Sequence, residues 1–155
     1  MYGEPRLTKD IDITLGIDTD RSEDMLACAG SLGLETLVEN PADFIRSTMV
    51  LPVQERKTGI RVDFIFSCSP YERQAINRAR QISLDGTALR FASPEDLLIH
   101  KIVAGRQKDL EDVKNILLKN KSLDTAYIIE WLKNFSTSLD KDFTGCFLSI
   151  SEEIK

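Results

Sequence analysis

Thr8-Lys9-Asp10-Ile11-Asp12-Ile13-Thr14-Leu15-Gly16 alternates polar and apolar residues without a break. That period of two is the pattern of a strand with one buried face. Ile11, Ile13 and Leu15 fall on one side, and Asp10, Asp12 and Thr14 on the other. Carboxylates at i and i+2 leave a strand from the same face and reach toward one point in space. Aspartate is depleted in strands, and two neighbouring carboxylates repel. Cations or solvent must compensate, so the pair reads either as a divalent-metal clamp or as an exposed edge-strand face.

A second strand sharpens the choice. From Ile60 to Ser67, Val62, Phe64 and Phe66 share one face, and Arg61, Asp63 and Ile65 the other. Asp63 is thus a third mid-strand carboxylate. If the two strands are neighbours, three carboxylates converge. Three oxygen donors on rigid strands can fix two magnesium ions about 3.5–4 Å apart. One ion would lower the pKa of an attacking hydroxyl, and the other would hold a triphosphate and stabilise leaving pyrophosphate. A calcium loop is excluded: its sixth position, a required glycine, is Leu15, and its twelfth is Arg21 rather than glutamate.

Around these strands the pattern alternates between strand and helix. Ser22 to Leu32 reads as a helix, capped by Asp20 or Ser22 and ended by Gly33. Asn40-Pro41 reads as a chain break, and Phe44 to Glu55 as extended, with Pro52 placing that strand at an edge or a bulge. Ser69-Pro70 opens a short basic helix through Arg78. Asp85-Gly86 supplies the positive φ angles of a tight hairpin between strands Arg80–Leu84 and Ala88–Ala92. Ser93 as N-cap, Pro94 as first helical residue and Asp96 at the third position start a helix to about Ala104, which Gly105 ends. Asp109 starts another, with Leu110, Val113 and Leu117 on its buried face. Asp124 caps the last clear helix, where Ile128, Trp131, Leu132 and Phe135 share a face. Residues 136–155 give no decisive pattern. The expectation is one α+β domain over residues 1–155, a mixed sheet over about 1–92 and a helical portion over about 93–155.

Composition narrows the chemistry. The 155 residues are 42 % apolar and 29 % charged, which excludes disordered and collagen-like chains. No apolar run is long enough to span a membrane, and the N-terminus lacks a signal core. Cys28, Cys68 and Cys146 form no CxxC pair, so the reading is reduced thiols and a cytoplasmic location. A single histidine, His100, excludes His-rich zinc sites. Any metal would sit on carboxylates, which favours Mg²⁺ or Mn²⁺. The net charge of -5 argues against a generic nucleic-acid coat. Residues 71–108 are nevertheless net +3 between acidic flanks, either a local polyanion contact or ordinary surface charge.

Taken together, the motifs resemble a known family. Tyr2-Gly3-Glu4-Pro5-Arg6-Leu7-Thr8-Lys9-Asp10-Ile11-Asp12 is similar to the G-x-x-R-x-T-x-D-(I/L)-D signature of AbiEii-like and other minimal nucleotidyltransferases of the polymerase-beta superfamily. Gly59-Ile60-Arg61-Val62-Asp63 resembles its second carboxylate strand. Ser93 to Lys101, and Gly105-Arg106-Gln107-Lys108-Asp109-Leu110-Glu111-Asp112-Val113, resemble its downstream lysine and Arg-x-Lys-Asp-x-x-Asp segments. The resemblance implies a nucleotidyltransferase fold, a mixed sheet flanked by helices. It implies that Asp10, Asp12 and Asp63 are catalytic and bind Mg²⁺ or Mn²⁺, with Asp63 also helping to deprotonate the acceptor. It assigns Arg6 and Thr8 to phosphate contact or to bracing the site, and Lys101 to neutralising triphosphate or acceptor charge. Arg106 and Lys108 stay open between a solvated turn and phosphate contact. Asp109 and Asp112 stay open between a helix start and acceptor or nucleotide contact.

The implied reaction moves a nucleoside monophosphate from an NTP to a hydroxyl of tRNA or of a protein. The implied role is the toxin of a toxin–antitoxin pair, with an antitoxin partner. An aminoglycoside-type transferase is a weaker option. The family also places a Gly-Gly or Gly-Ser pair upstream of the carboxylate strand, where backbone N–H groups hold the triphosphate. The only glycine here before Asp10 is Gly3. By the family spacing, the pair and its helix would lie before Met1. Two expectations follow from that departure. One is an apolar sheet surface covered by a second copy in a homodimer. The other is the alternative function, a catalytically inactive nucleotidyltransferase-fold binding module.

Overall fold

The computed structural model describes residues 10–67 and 69–154, which form two compact units, one up to Asn77 and the other from Arg78 onward. The architecture is α+β, as expected. The first unit contains β1 (Asp10–Thr14), α1 (Ser22–Ser31), β2 (Leu34–Thr36), α2 (Pro41–Thr48), β3 (Val50–Glu55) and β4 (Arg61–Ile65), and α3 (Pro70–Arg78) runs to its boundary. The strands form one mixed sheet in the order β1-β4-β3-β2, with β1 parallel to β4 and the other pairs antiparallel.

The alternation in β4 sets this sheet. Val62, Phe64 and Phe66 are buried with Leu51 and Val53 of β3, against Met25 and Ala29 of α1 and Ile45 of α2. Burying each such large side chain contributes about 1.5–3 kcal/mol. A one-residue slip would turn the whole row outward, so the apolar face pins the register. Ile11 and Ile13 continue that row onto the edge strand β1, where they are 48 % and 39 % exposed.

Four expectations are corrected here. The stretch from Phe44 to Glu55 is extended only from Val50: Pro41 is the first helical residue of α2, which ends at Met49 in the left-handed region and buries Ile45 completely. Asn40-Pro41 therefore starts an element rather than breaking the chain. Pro52 lies in an interior strand and not at an edge. Its neighbours bond β4, with Phe66 N–H donating to Met49 O and Glu55 N–H to Ile60 O, so Pro52 faces β2. Leu37 N–H donates to Pro52 O at 3.0 Å, just beyond the end of β2, so the missing donor closes that short ladder. Neither Asp20 nor Ser22 caps α1. A 3-10 turn over Thr19–Arg21, capped by Asp18, feeds directly into it.

The second unit holds a hairpin, β5 (Arg80–Leu84) and β6 (Thr87–Phe91), then α4 (Pro94–Ala104), α5 (Gln107–Lys119), α6 (Thr125–Leu139) and α7 (Phe143–Glu153). Asp85 and Gly86 both take positive φ, as the tight turn requires. The helices share a core that includes Leu98, Ile102, Val113, Ile128, Leu132 and Phe147. The sequence left α7 unassigned. Asp142 caps it by accepting from Gly145 N–H at 2.7 Å, and a Cβ at Gly145 would stand 2.1 Å from the Asp142 carboxylate. No helix among the described residues is long and apolar enough to cross a membrane.

The start of α4 follows the sequence closely. Buried Ser93 accepts from Asp96 N–H at 3.1 Å, and its hydroxyl donates to Asp96 Oδ2 at 2.6 Å. Ser93→Ala should destabilise the protein by about 1–2 kcal/mol. Thermal melting should show a fall of several degrees, and an unchanged midpoint would contradict this role for Ser93.

Candidate functional site

The parallel pairing of β1 with β4 sets Asp12 beside Asp63 and Asp10 beside Arg61. Paired residues on neighbouring strands project from the same face, and the strands lie about 4.7–4.9 Å apart. The three carboxylates predicted to converge therefore share one face at one sheet edge. On its other side Asp63 pairs with Pro52 of β3. Its partner lies along its own strand: Arg61 Nε donates to Asp63 Oδ1 at 2.8 Å. Asp63 is 17 % exposed and Arg61 50 %. The hydrogen bond and charge of Asp63 raise the Arg61 pKa, and Asp10 and Asp12 raise it further.

Hard oxygen donors on two rigid strands suit Mg²⁺ or Mn²⁺, and the register suits a shared cation. With the side chains as they stand, no three carboxylate, histidine or cysteine groups among the described residues meet closely enough to hold a metal ion. Asp63 is turned instead to its guanidinium partner. Arg6 and Thr8 lie outside the described residues.

A second constellation joins α4 to α5. Lys101 Nζ lies 2.5 Å from Asp112 Oδ2 and 3.3 Å from Asp109 Oδ1. Arg106 Nε lies 2.5 Å from Asp109 Oδ2. Asp109 is only 4 % exposed, Asp112 16 % and Lys101 17 %, whereas Arg106 is 78 % exposed. The reading of Asp109 as an N-cap is corrected. Arg106 holds that position without a side-chain capping bond, and Asp109 sits in the first turn. Both positions favour an acidic residue, so the sequence alone does not separate them. The pull of Lys101 does. Burial alone would raise the Asp109 pKa, but hydrogen bonds from Arg106 and Lys101 outweigh it and hold it below the usual range. Lys108 is exposed on the same turn.

A third cluster escaped the sequence reading. The Arg78 guanidinium lies 3.9 Å from the centre of the Tyr127 ring. Tyr127 donates its hydroxyl to fully buried Asp96 at 2.7 Å. Arg78 stands 3.6 Å from Glu95 and 3.8 Å from Asp96. Burial raises the Tyr127 pKa, and the bond to Asp96 raises it further. These groups brace the start of α4 against α6. No spacing could have revealed them, because residues 31 positions apart meet only through helix packing.

The comparison with known families bears on this unit. Residues 68–143 match a family described as a nucleotidyltransferase of unknown function (DUF6036). The match supports a nucleotidyltransferase family without selecting the AbiEii-like branch. It spans the hairpin, α4 and α5, and the Arg78–Tyr127 cluster; β1 and β4 precede it. No curated protein matches the chain. In this nucleotidyltransferase-like segment, then, Lys101 already spends its charge on two carboxylates of its own helix pair.

Lys101→Met should cost about 2–3 kcal/mol, below the 3–5 kcal/mol of a fully buried pair because Lys101 keeps some solvent. Chemical denaturation reads this directly, and wild-type stability would contradict the lock. The depressed Asp109 pKa also fixes a pH dependence. Its contribution is fully present above the unfolded carboxylate pKa of about 3.9 and is lost as pH falls through the lower folded value. Stability measured from pH 5 downward should therefore fall more steeply in wild type than in Asp109→Asn. Equal slopes would remove Asp109 from the linkage.

Proposed function

We propose that the chain is a metal-dependent nucleotidyltransferase that moves a nucleoside monophosphate from an NTP to a hydroxyl acceptor. One observation carries the reading: the β1–β4 register gathers Asp10, Asp12 and Asp63 on one face. The family match over residues 68–143 supports the same class. In this reading Asp10, Asp12 and Asp63 hold Mg²⁺ or Mn²⁺. Bound there, the ion supplies Lewis-acid chemistry, acidifying the attacking hydroxyl and offsetting charge on the leaving pyrophosphate.

The remaining roles belong to the chain itself. In this reading Asp63 also helps to deprotonate the acceptor. Arg106 and Lys108 are the exposed cations suited to phosphate, Arg106 as a planar fork and Lys108 as a point charge. Lys101 keeps α4 and α5 in place rather than meeting the nucleotide. The acceptor we propose is tRNA or a protein hydroxyl, and the setting a toxin held in check by an antitoxin. A second reading is favoured by the engagement of Asp63 with Arg61: a nucleotidyltransferase-fold binding module that performs no transfer.

Incubating the chain with labelled NTPs, total tRNA and Mg²⁺ separates the two. Transfer requires label in RNA or protein that depends on the metal and disappears in Asp12→Asn. Absence of label from a folded, metal-binding chain would favour the binding module.

A further inference from the structure

We propose that Arg61 is a resident counter-ion of Asp63 on the carboxylate face, and that a divalent cation binds there by displacing it. The inference rests on reading Asp10, Asp12 and Asp63 as the metal ligands.

The sequences of the strands single out this residue. β1 is DIDIT, β2 LET, β3 VLPVQE and β4 RVDFI, so among the described residues Arg61 is the one lysine or arginine in these four strands. It stands two residues before Asp63 on the same strand and beside Asp10 across the parallel pair. Its side chain therefore leaves from the carboxylate face. The contact is direct, Nε to Oδ1 at 2.8 Å. Asp10 and Asp12 act on the same guanidinium electrostatically.

The geometry also makes Arg61 an exchangeable partner. It is 50 % exposed and reaches Asp63 on a long stem, so the head can swing into water without disturbing the core. Asp63 is more enclosed at 17 %, so it stays in place while the guanidinium is free to move. Half-exposed ion pairs are weak, so displacement should lower metal affinity by a small factor rather than block it.

The test is Mn²⁺ binding, read from the electron-paramagnetic signal of free Mn²⁺ in titrations without nucleotide. Arg61→Gln removes the charge, Arg61→Met also keeps the packing of the stem, and Lys57→Gln removes a charge from the exposed β3–β4 turn. Thermal melts establish that each variant is folded. Both Arg61 variants should bind Mn²⁺ roughly three- to tenfold tighter than wild type, with Lys57→Gln changing little. Unchanged or weaker binding in both Arg61 variants would overturn the proposal. So would an equal gain in Lys57→Gln, which would reduce the effect to general charge. Failure of wild type and every variant to bind Mn²⁺ would remove the carboxylate site itself, and the inference with it.

Discussion

Carboxylates crowded on one sheet face repel each other, and the parallel pairing of β1 on β4 forces that crowding on Asp10, Asp12 and Asp63. The opposite face of β4 enforces it. Val62, Phe64 and Phe66 are buried there, each contributing about 1.5–3 kcal/mol. Repulsion between two carboxylates about 6 Å apart is roughly 1–3 kcal/mol at effective dielectrics between water and a protein surface. The apolar row therefore holds the register against the electrostatic cost. A cation relieves that cost, and Arg61 supplies one to Asp63. Structure and chemistry meet on one strand: its buried face fixes the alignment that its polar face uses.

The helical unit resolves its buried charges differently. Lys101, Asp109 and Asp112 satisfy one another between α4 and α5, and Arg78, Glu95, Asp96 and Tyr127 do so at the start of α4. Both groups are bound within a single helical unit, and Lys101, matched by motif to a phosphate role, is held there by two carboxylates.

Much of this was legible where one residue type has one physical use. Ser93-Pro94 could scarcely do anything but start a helix, Asp85-Gly86 anything but turn a hairpin, and the alternation in β4 fixed which side of Asp63 faces the core. The sequence was ambiguous where a residue has two uses. Pro41 can break a chain or begin a helix, and in an eight-residue helix only Ile45 is buried, too little to show a period. Pro52 suggested an edge because proline lacks a donor, but the sequence could not show that β2 ends beside it. The face shared by Arg61 and Asp63 was visible from spacing. Their contact was not, because side-chain direction depends on the pairing with β1. In α7 the signal was present in Asp142, Phe143, Phe147 and Ile150 but stood alone at the end of an otherwise weakly patterned segment.

The claim on which the functional reading depends is that carboxylates from two strands serve one cation. A double-mutant cycle on Mn²⁺ affinity, using Asp12→Asn, Asp63→Asn and the combined variant, tests it most directly. A shared site requires strong non-additivity: either single change should remove most of the affinity, and the second should add little. Additive, small losses matching those of a distant surface change such as Asp24→Asn would contradict a common site.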